Sequence, residues 1–183
     1  MALIDRVKNI LLTPKTEWPV IAGETATVQS LYVEYILIVA AIGPLALIFA
    51  MGSVFAVISY AIGLAIVWLM AWIIDALAPT FGGEKNFVKS LQLIAYSYTA
   101  AWIAGIFHIV PVIGSLLALV AGIYSLYTFY LGVPVMKKCP QDKAVVYTIV
   151  VVLCGIVVGA LLFNLLFSMI VGGSMLGMTG MGR

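Results

Sequence analysis

Residues 90–136 read SLQLIAYSYTAAWIAGIFHIVPVIGSLLALVAGIYSLYTFYLGVPVM, a run of 47 residues without a formal charge if His108 is neutral. A helix crosses the hydrocarbon layer of a bilayer with about 20 apolar residues, so this run is too long for one crossing and long enough for two. Pro111, with Gly114 shortly after it, is the natural break, because proline cannot continue the hydrogen-bond ladder of a helix. The stretch therefore predicts two transmembrane helices.

The composition of the whole chain agrees with a lipid environment. Apolar residues make up 64% and charged residues 9% of the 183 residues, against about 45–50% and about 25% in ordinary soluble domains. The net charge of +2 is small and the basic residues are scattered near predicted helix ends, so we expect no nucleic-acid partner. The first partner that the composition implies is the lipid bilayer.

Three further apolar runs complete the predicted bundle. Tyr35–Met51 and Gly52–Ile74 are uncharged, and Asp75 with Pro79 closes the second of them. The last run is Ala144–Val171. We predict an all-α integral membrane protein with five transmembrane helices in residues 31–171. Residues 172–183 are expected to form a flexible tail rich in Gly and Met, because their glycine density argues against a sixth crossing.

The basic residues predict the orientation, because lysine and arginine concentrate in cytosolic loops. With the amino terminus inside, the opposite side of the membrane holds only Arg183. The cytosolic segments then hold Arg6, Lys8, Lys15, Lys85, Lys89, Lys137, Lys138 and Lys143. We therefore expect a multi-pass protein of the cell inner (plasma) membrane with a cytosolic amino terminus and an outside carboxyl terminus.

Residues 1–30 predict a cytosolic amphipathic helix followed by a segment with Pro and Trp. The apolar residues Leu3, Ile4, Val7, Ile10 and Leu11 recur at helical spacing, and Thr13-Pro14 ends the pattern. A short stripe of this kind is typical of a helix that lies in the membrane interface. The alternative is that the same stripe packs on the cytosolic loops of the bundle.

The sequence contains no enzyme signature. It has one histidine, no Walker loop, no HExxH and no GxSxG. We predict no catalytic residue, no cofactor and no metal site, and we interpret Cys139 and Cys154 as free thiols. The protein is therefore expected to be non-enzymatic.

The charges closest to the apolar runs predict a structural cluster rather than a transport path. Glu34 opens the first run, Asp75 closes the second and Lys89 opens the third, all at the cytosolic boundary. We predict that these three side chains form a local charge cluster there. The bilayer midplane then holds no acid or base, which argues against a proton- or sodium-coupled transporter.

Polar side chains also lie inside the third and fourth runs. They are Gln92, Tyr96 and Thr99 on the third, and Tyr124 and Tyr127 on the fourth. Polar groups in a membrane usually turn inward and form hydrogen bonds across helices. The sequence leaves two interpretations open, a hydrogen-bonded bundle core and a binding cavity.

Small residues at four-residue spacing predict close helix packing. The fourth run carries Gly114, Ala118 and Gly122, and the fifth carries Gly155 and Gly159. Such stripes let helix backbones approach closely, either within one bundle or between copies in a homo-oligomer.

Three motifs resemble the Yip family, the Ypt/Rab-interacting membrane proteins, in its prokaryotic form. The first is Thr13–Ile21, TPKTEWPVI, followed by Glu24. The second is Ser90–Ser97, and the third is Ile123–Tyr127, which leads to Gly132 and a lysine-containing loop. The Asp-Leu-Tyr-Gly-Pro motif of eukaryotic members is missing, which puts direct GTPase binding in doubt. The resemblance implies a non-enzymatic membrane protein of the trafficking type, with Pro14, Glu17, Trp18 and Glu24 as family-motif residues and possible partner contacts.

Two functions remain open at this point. The first is an interaction or membrane-organising module, which could bind other membrane proteins or itself. The second is a channel, transporter or lipid-translocating protein that uses the polar faces of the third and fourth helices. A solidly packed interior between those helices would favour the first function.

Overall fold

The computed structural model of the protein describes residues 2–180, apart from the side chains of residues 50, 51, 108, 111, 163 and 165–180. Within that part the chain is helical and contains no strand. The helices are α1 Leu3–Leu12, α2 Pro14–Gly23, α3 Val28–Leu31, α4 Leu37–Val39, α5 Ile42–Met51, α6 Ser53–Leu77, α7 Phe87–Ser97, α8 Thr99–Ala104, α9 Pro111–Lys137 and α10 Gln141–Gly180. A π-helical turn at Tyr32–Ile36 joins α3 to α4, and 3₁₀ turns at Ala78–Phe81 and Gly105–Ile109 follow α6 and α8.

Four helical stretches of the described chain are long and apolar enough to cross a membrane. They are Val28–Phe49, Ser53–Phe81, Val112–Lys137 and Gln141–Leu162. The protein is therefore a multi-pass membrane protein, as the composition predicted. The two predicted breaks are also present: α9 begins at Pro111, and Gly52 separates α5 from α6 with a φ of 88°, which favours glycine.

The predicted third crossing is a broken helix. It consists of α7, α8 and the turn at Gly105–Ile109, and none of these pieces is long enough to cross a bilayer alone. The break lies at Tyr98, whose ψ of −3° is far from helical values. Next to it the Thr99 hydroxyl donates to the Tyr96 carbonyl oxygen (2.7 Å), a local bond that competes with the helical ladder. The four long helices and this segmented third crossing together would give five crossings, and that count remains a prediction.

The helix predicted at the amino terminus forms, and its apolar stripe contacts protein. Ile10 is 1% exposed, and Leu3, Val7 and Leu11 pack against the same hydrophobic core. Ile4, in contrast, is 79% exposed. The stripe thus packs largely on the bundle, which was the alternative interpretation, and an interfacial position of α1 remains a prediction.

The small-residue stripes make few close contacts within one chain. A Cβ added at Gly155 would lie 3.4 Å from the Met70 side chain, whereas at Gly122 and Gly159 it would meet nothing within 4 Å. The tightest approach is at Gly132, where an added Cβ would lie 2.6 Å from both Trp18 and Leu93. The predicted stripes therefore leave two of their glycines unpacked in the single chain.

We expect Gly159→Leu to leave the thermal stability of the monomeric bundle almost unchanged, within about 0.5 kcal/mol, because nothing lies where the new side chain begins. If the stripe is an interface between copies, the same change will reduce the size of the oligomer. Thermal unfolding and light scattering in detergent measure the two effects. A large loss of stability in a variant that is monomeric before and after the change would contradict the open space at Gly159.

Candidate functional site

The ion pairs of the described chain lie at one end of the bundle, which we call the polar end. It is formed by the α1–α2 hairpin, the end of α6, the start of α7, the end of α9 and the α9–α10 loop. Two ion-pair networks and one large cleft lie there.

Trp18 attaches the α1–α2 hairpin to the bundle. Its side chain is fully buried, and its Nε1 donates to the Thr128 carbonyl oxygen of α9 at 3.0 Å. Its ring lies over Gly132, where the missing side chain leaves the space that the indole occupies. The edge of the ring also faces Tyr96 of α7, at 6.5 Å between ring centroids. One residue of the hairpin thus contacts both α7 and α9.

Arg6 is the centre of the first ion-pair network. Its guanidinium donates to the carboxylates of Glu17 and Glu24, and Asn9 donates to the second oxygen of Glu17 at 3.1 Å. The guanidinium also lies over the Tyr96 ring, 5.5 Å from its centroid, as in a cation–π contact. A buried cation of this kind needs its counter-ions, so the network locks α1 to α2 and both to α7.

Lys89 closes the end of α2. Its ammonium donates to the carbonyl oxygens of Ala22 (2.9 Å) and Glu24 (3.2 Å), with Ile21 at 3.4 Å. The last carbonyls of a helix have no partner within the helix, and a cation at that end interacts favourably with the helix dipole. Lys89 therefore joins the start of α7 to the end of the hairpin.

The second network joins α6, α7 and α9. Lys137 has a fully buried side chain, and its ammonium donates to Asp75 (2.8 Å), to the Ser90 hydroxyl (2.8 Å) and to the Asn86 carbonyl oxygen (3.1 Å). The same Asp75 oxygen accepts from the Asn86 backbone N–H at 2.7 Å and from Ser90 at 3.1 Å. Asp75 on α6 thus accepts hydrogen bonds from Asn86 and Ser90 at the start of α7 and from Lys137 at the end of α9.

The predicted cluster of Glu34, Asp75 and Lys89 is not one unit in the structure. Asp75 pairs with Lys137, Lys89 binds backbone carbonyls of α2, and Glu34 is exposed with no ion-pair partner among the described residues. The reason is geometric: the long side chain of Lys137 reaches back along α9 to Asp75, whereas Lys89 points toward the hairpin. The sequence interpretation had placed Lys137 among the basic residues of the cytosolic segments, without a partner.

The family-motif residues are mostly internal. Pro14, Glu17 and Trp18 are buried, and Glu24 is half-buried beside Arg6. Their contacts in this structure are with α1, α7 and α9, so they hold the hairpin in place. A role for them in partner contact remains a prediction.

Most of the predicted polar face lies in the bundle core. Gln92, Tyr96 and Thr99 are buried, and the Thr99 hydroxyl shares a 2.6 Å hydrogen bond with Tyr35 of the first crossing. Tyr124 donates to the Leu11 carbonyl oxygen of α1 at 2.7 Å, whereas Tyr127 is exposed. Thr99 and Tyr124 of this face therefore form hydrogen bonds to neighbouring helices.

The loop that joins α9 to α10 holds a shielded thiol. Cys139 is buried, and its Sγ donates to the Phe81 carbonyl oxygen at 3.2 Å. Burial raises the pKa of the thiol, with the nearby Asp142 carboxylate acting in the same direction. A thiol in this state reacts slowly, so Cys139 is a poor position for surface labelling.

A cleft of about 870 Å³ opens between the hairpin, the first crossing and α7. Its lining includes Arg6, Glu24, Glu34, Tyr35, Gln92 and Tyr96. Two smaller clefts of the described chain measure about 250 and 210 Å³. In the described part of the chain, no group of three or more His, Cys, Asp or Glu side chains is arranged to hold a metal ion.

The chain is similar to a known protein family. The model of the Yip1 domain matches residues 8–163, a range that includes most of the hairpin and all four apolar crossings. No curated protein and no solved structure matches the chain.

Proposed function

Because the chain belongs to the Yip1 domain family, we propose that it is a non-enzymatic membrane protein that acts as an interaction or membrane-organising module of the trafficking type. The family membership and the apolar helices make it a membrane protein. The proposal adds a role: the polar end presents a rigid surface to other membrane proteins or to a second copy of the chain.

The observation that carries this proposal is the packing between α7, the first part of the segmented third crossing, and α9. At Gly132 the two helices and the hairpin come so close that a single added carbon would overlap Leu93 and Trp18. Next to it, a hydrogen bond between Tyr35 and Thr99 joins the first crossing to α8 of the third crossing. The polar faces of the third and fourth crossings are thus in close contact at Gly132 and at Thr99, and a cleft of about 250 Å³ lies beside Tyr98 and Ser125.

The hairpin supplies a surface of the kind that the proposal requires. Arg6 and Trp18 hold its inner side, while Ile4, Leu12 and Val20 remain exposed on its outer side. A rigid apolar edge beside a membrane is suited to contact lipid or a partner helix, because it binds without first losing conformational freedom.

Reconstitution of the full chain in liposomes tests the role. We expect ion flux and lipid scrambling at the level of empty liposomes. We also expect discrete photo-crosslinked products from a reactive group at Leu12, on the outer side of the hairpin, and none from the same group at the buried Ile10. Flux or scrambling that is lost in Tyr96→Phe and Thr99→Val variants would overturn the proposal in favour of transport.

We further propose five crossings in the inner membrane, with a cytosolic polar end and with Phe87–Ile109 as the segmented third crossing. In a background that lacks Cys139 and Cys154, a cysteine that replaces the exposed Lys85 should react with a membrane-impermeant maleimide only after the cells are opened. A cysteine that replaces Thr179 should react in intact cells. Reaction of both cysteines on the same side would contradict an odd number of crossings.

A further inference from the structure

The large cleft at the polar end contains an amide group that has no partner. Gln92 lies at its floor and is fully buried, and neither its Oε1 nor its Nε2 has a hydrogen-bond partner in the described structure. A buried amide without partners is costly, and such groups in native proteins are normally satisfied by protein, by ordered water or by a ligand. A headgroup that reaches this buried amide from the cleft would meet one acceptor and two donors.

The charges of the cleft favour a cation. Of the charged side chains that line the cleft, Arg6 carries one positive charge, and Glu24 and Glu34 carry one negative charge each, which leaves one negative charge in excess. Glu17 is fully used, because its two oxygens accept from Arg6 and Asn9. Glu24 gives one oxygen to Arg6, and Glu34 has no ion-pair partner in the described chain. Carboxylate oxygens of Glu24 and Glu34 are thus available at the wall of the cleft.

The rim of the cleft connects these polar groups to the lipid-facing surface. Val33 and Ile38 belong to the lining and are both more than half exposed on the first crossing, Val28–Phe49. Leu3 contributes a further apolar side chain from α1. A molecule with a charged head and an apolar tail could therefore place its head in the cleft and keep its tail along the first crossing.

From these observations we propose that the cleft binds a primary ammonium group, presented by the headgroup of a membrane lipid of the ethanolamine class. The ammonium donates its hydrogens to Glu24, Glu34 and the Gln92 Oε1, and the Gln92 Nε2 donates to a phosphate oxygen of the same headgroup. A quaternary choline group has no N–H to donate, and an anionic glycerol headgroup meets the excess negative charge. The site therefore selects ethanolamine over both.

Native mass spectrometry of the full chain released from nanodiscs tests this site. The nanodiscs contain equal amounts of lipids with ethanolamine, choline and glycerol headgroups and identical acyl chains. We expect retained ethanolamine lipid at about tenfold excess over choline lipid, as one or two charge-assisted hydrogen bonds would give. Glu34→Gln should lower that preference at least threefold, since Glu34 is exposed and the change does not disturb the core.

The matched control is Glu84→Gln, which removes an exposed carboxylate that pairs with Lys138 away from the cleft and should leave the preference unchanged. Gln92→Leu should abolish the preference while the chain remains folded. Addition of soluble phosphoethanolamine distinguishes a lipid headgroup from a soluble amine as the source of the ammonium. If micromolar phosphoethanolamine displaces the ethanolamine lipid, the ligand of this site is a soluble amine. Absence of headgroup preference, or a preference that survives both Glu34→Gln and Gln92→Leu, would overturn the site.

Discussion

Replacement of Trp18 by alanine is expected to lower the free energy of unfolding by about 3–5 kcal/mol, the usual cost of removing a fully buried tryptophan. Its ring fills the space between α7, α9 and the hairpin, and its Nε1 satisfies the Thr128 carbonyl oxygen. Thermal unfolding in detergent measures the loss. The matched control is Trp72→Ala, because Trp72 is 61% exposed on α6 and its loss should cost less than about 1 kcal/mol.

Gly132 offers a second measurement of the same contact. Gly132→Ala should destabilise the wild-type chain by about 1–3 kcal/mol, because the new methyl group overlaps the Trp18 ring. In the Trp18→Ala background part of that cost should disappear, although Leu93 remains in the way. Strictly additive effects of the two changes would show that the ring and the glycine are not in contact.

Replacement of Lys137 by methionine should have the second-largest effect, a loss of about 3 kcal/mol. The change leaves Asp75 partly buried without its cation, and broken buried pairs typically cost about 3–5 kcal/mol. The lower end of the range applies because the Asp75 side chain is 19% exposed. Chemical unfolding in detergent at constant pH and salt gives the value.

The neighbouring lysine is the matched control for this experiment. Lys138 pairs with Glu84, and both side chains are mostly exposed, so Lys138→Met should change stability by less than about 1 kcal/mol. Asp75→Asn combined with Lys137→Met should recover part of the loss, because no unpaired charge remains. Equal effects of the two lysine changes, or no recovery in the double variant, would rule out Lys137 as the partner of Asp75.

The sequence predicted those features that depend on local pattern. Uncharged runs identified the long apolar helices, Pro111 and Gly52 marked their ends, and the Thr13–Glu24 motif led to the family that the Yip1 domain match confirms. Such signals are readable because the bilayer imposes one length and one polarity on each helix that crosses it.

The contacts of the polar end were not predictable in the same way. Asp75 and Lys137 are 62 residues apart in the chain, and the hydropathy of either segment contains no information about the other. The same holds for Gly132, because nothing in the α9 sequence indicates that the Trp18 ring packs on this glycine. Pairings between distant segments follow from the assembled bundle.

One missed residue did carry a usable signal. Arg6 was named only among the basic residues of the cytosolic segments, although it lies four residues before Ile10 and so shares its helix face. Two glutamates in the following motif, Glu17 and Glu24, offered counter-ions for a buried arginine. A cation on an apolar stripe followed by unpaired carboxylates is therefore a pattern that indicates a buried ion pair.

The docking of the hairpin has a consequence for biosynthesis. Trp18 donates a hydrogen bond to the Thr128 carbonyl oxygen, 110 residues later in the chain. The Leu11 carbonyl oxygen accepts one from Tyr124, 113 residues later. At about 5–20 residues per second, a ribosome needs roughly 5–20 s to make that stretch. During this time the hairpin has left the ribosome while the surface that it will cover does not yet exist. Completion of the polar end is therefore one of the last steps in the maturation of each newly made chain.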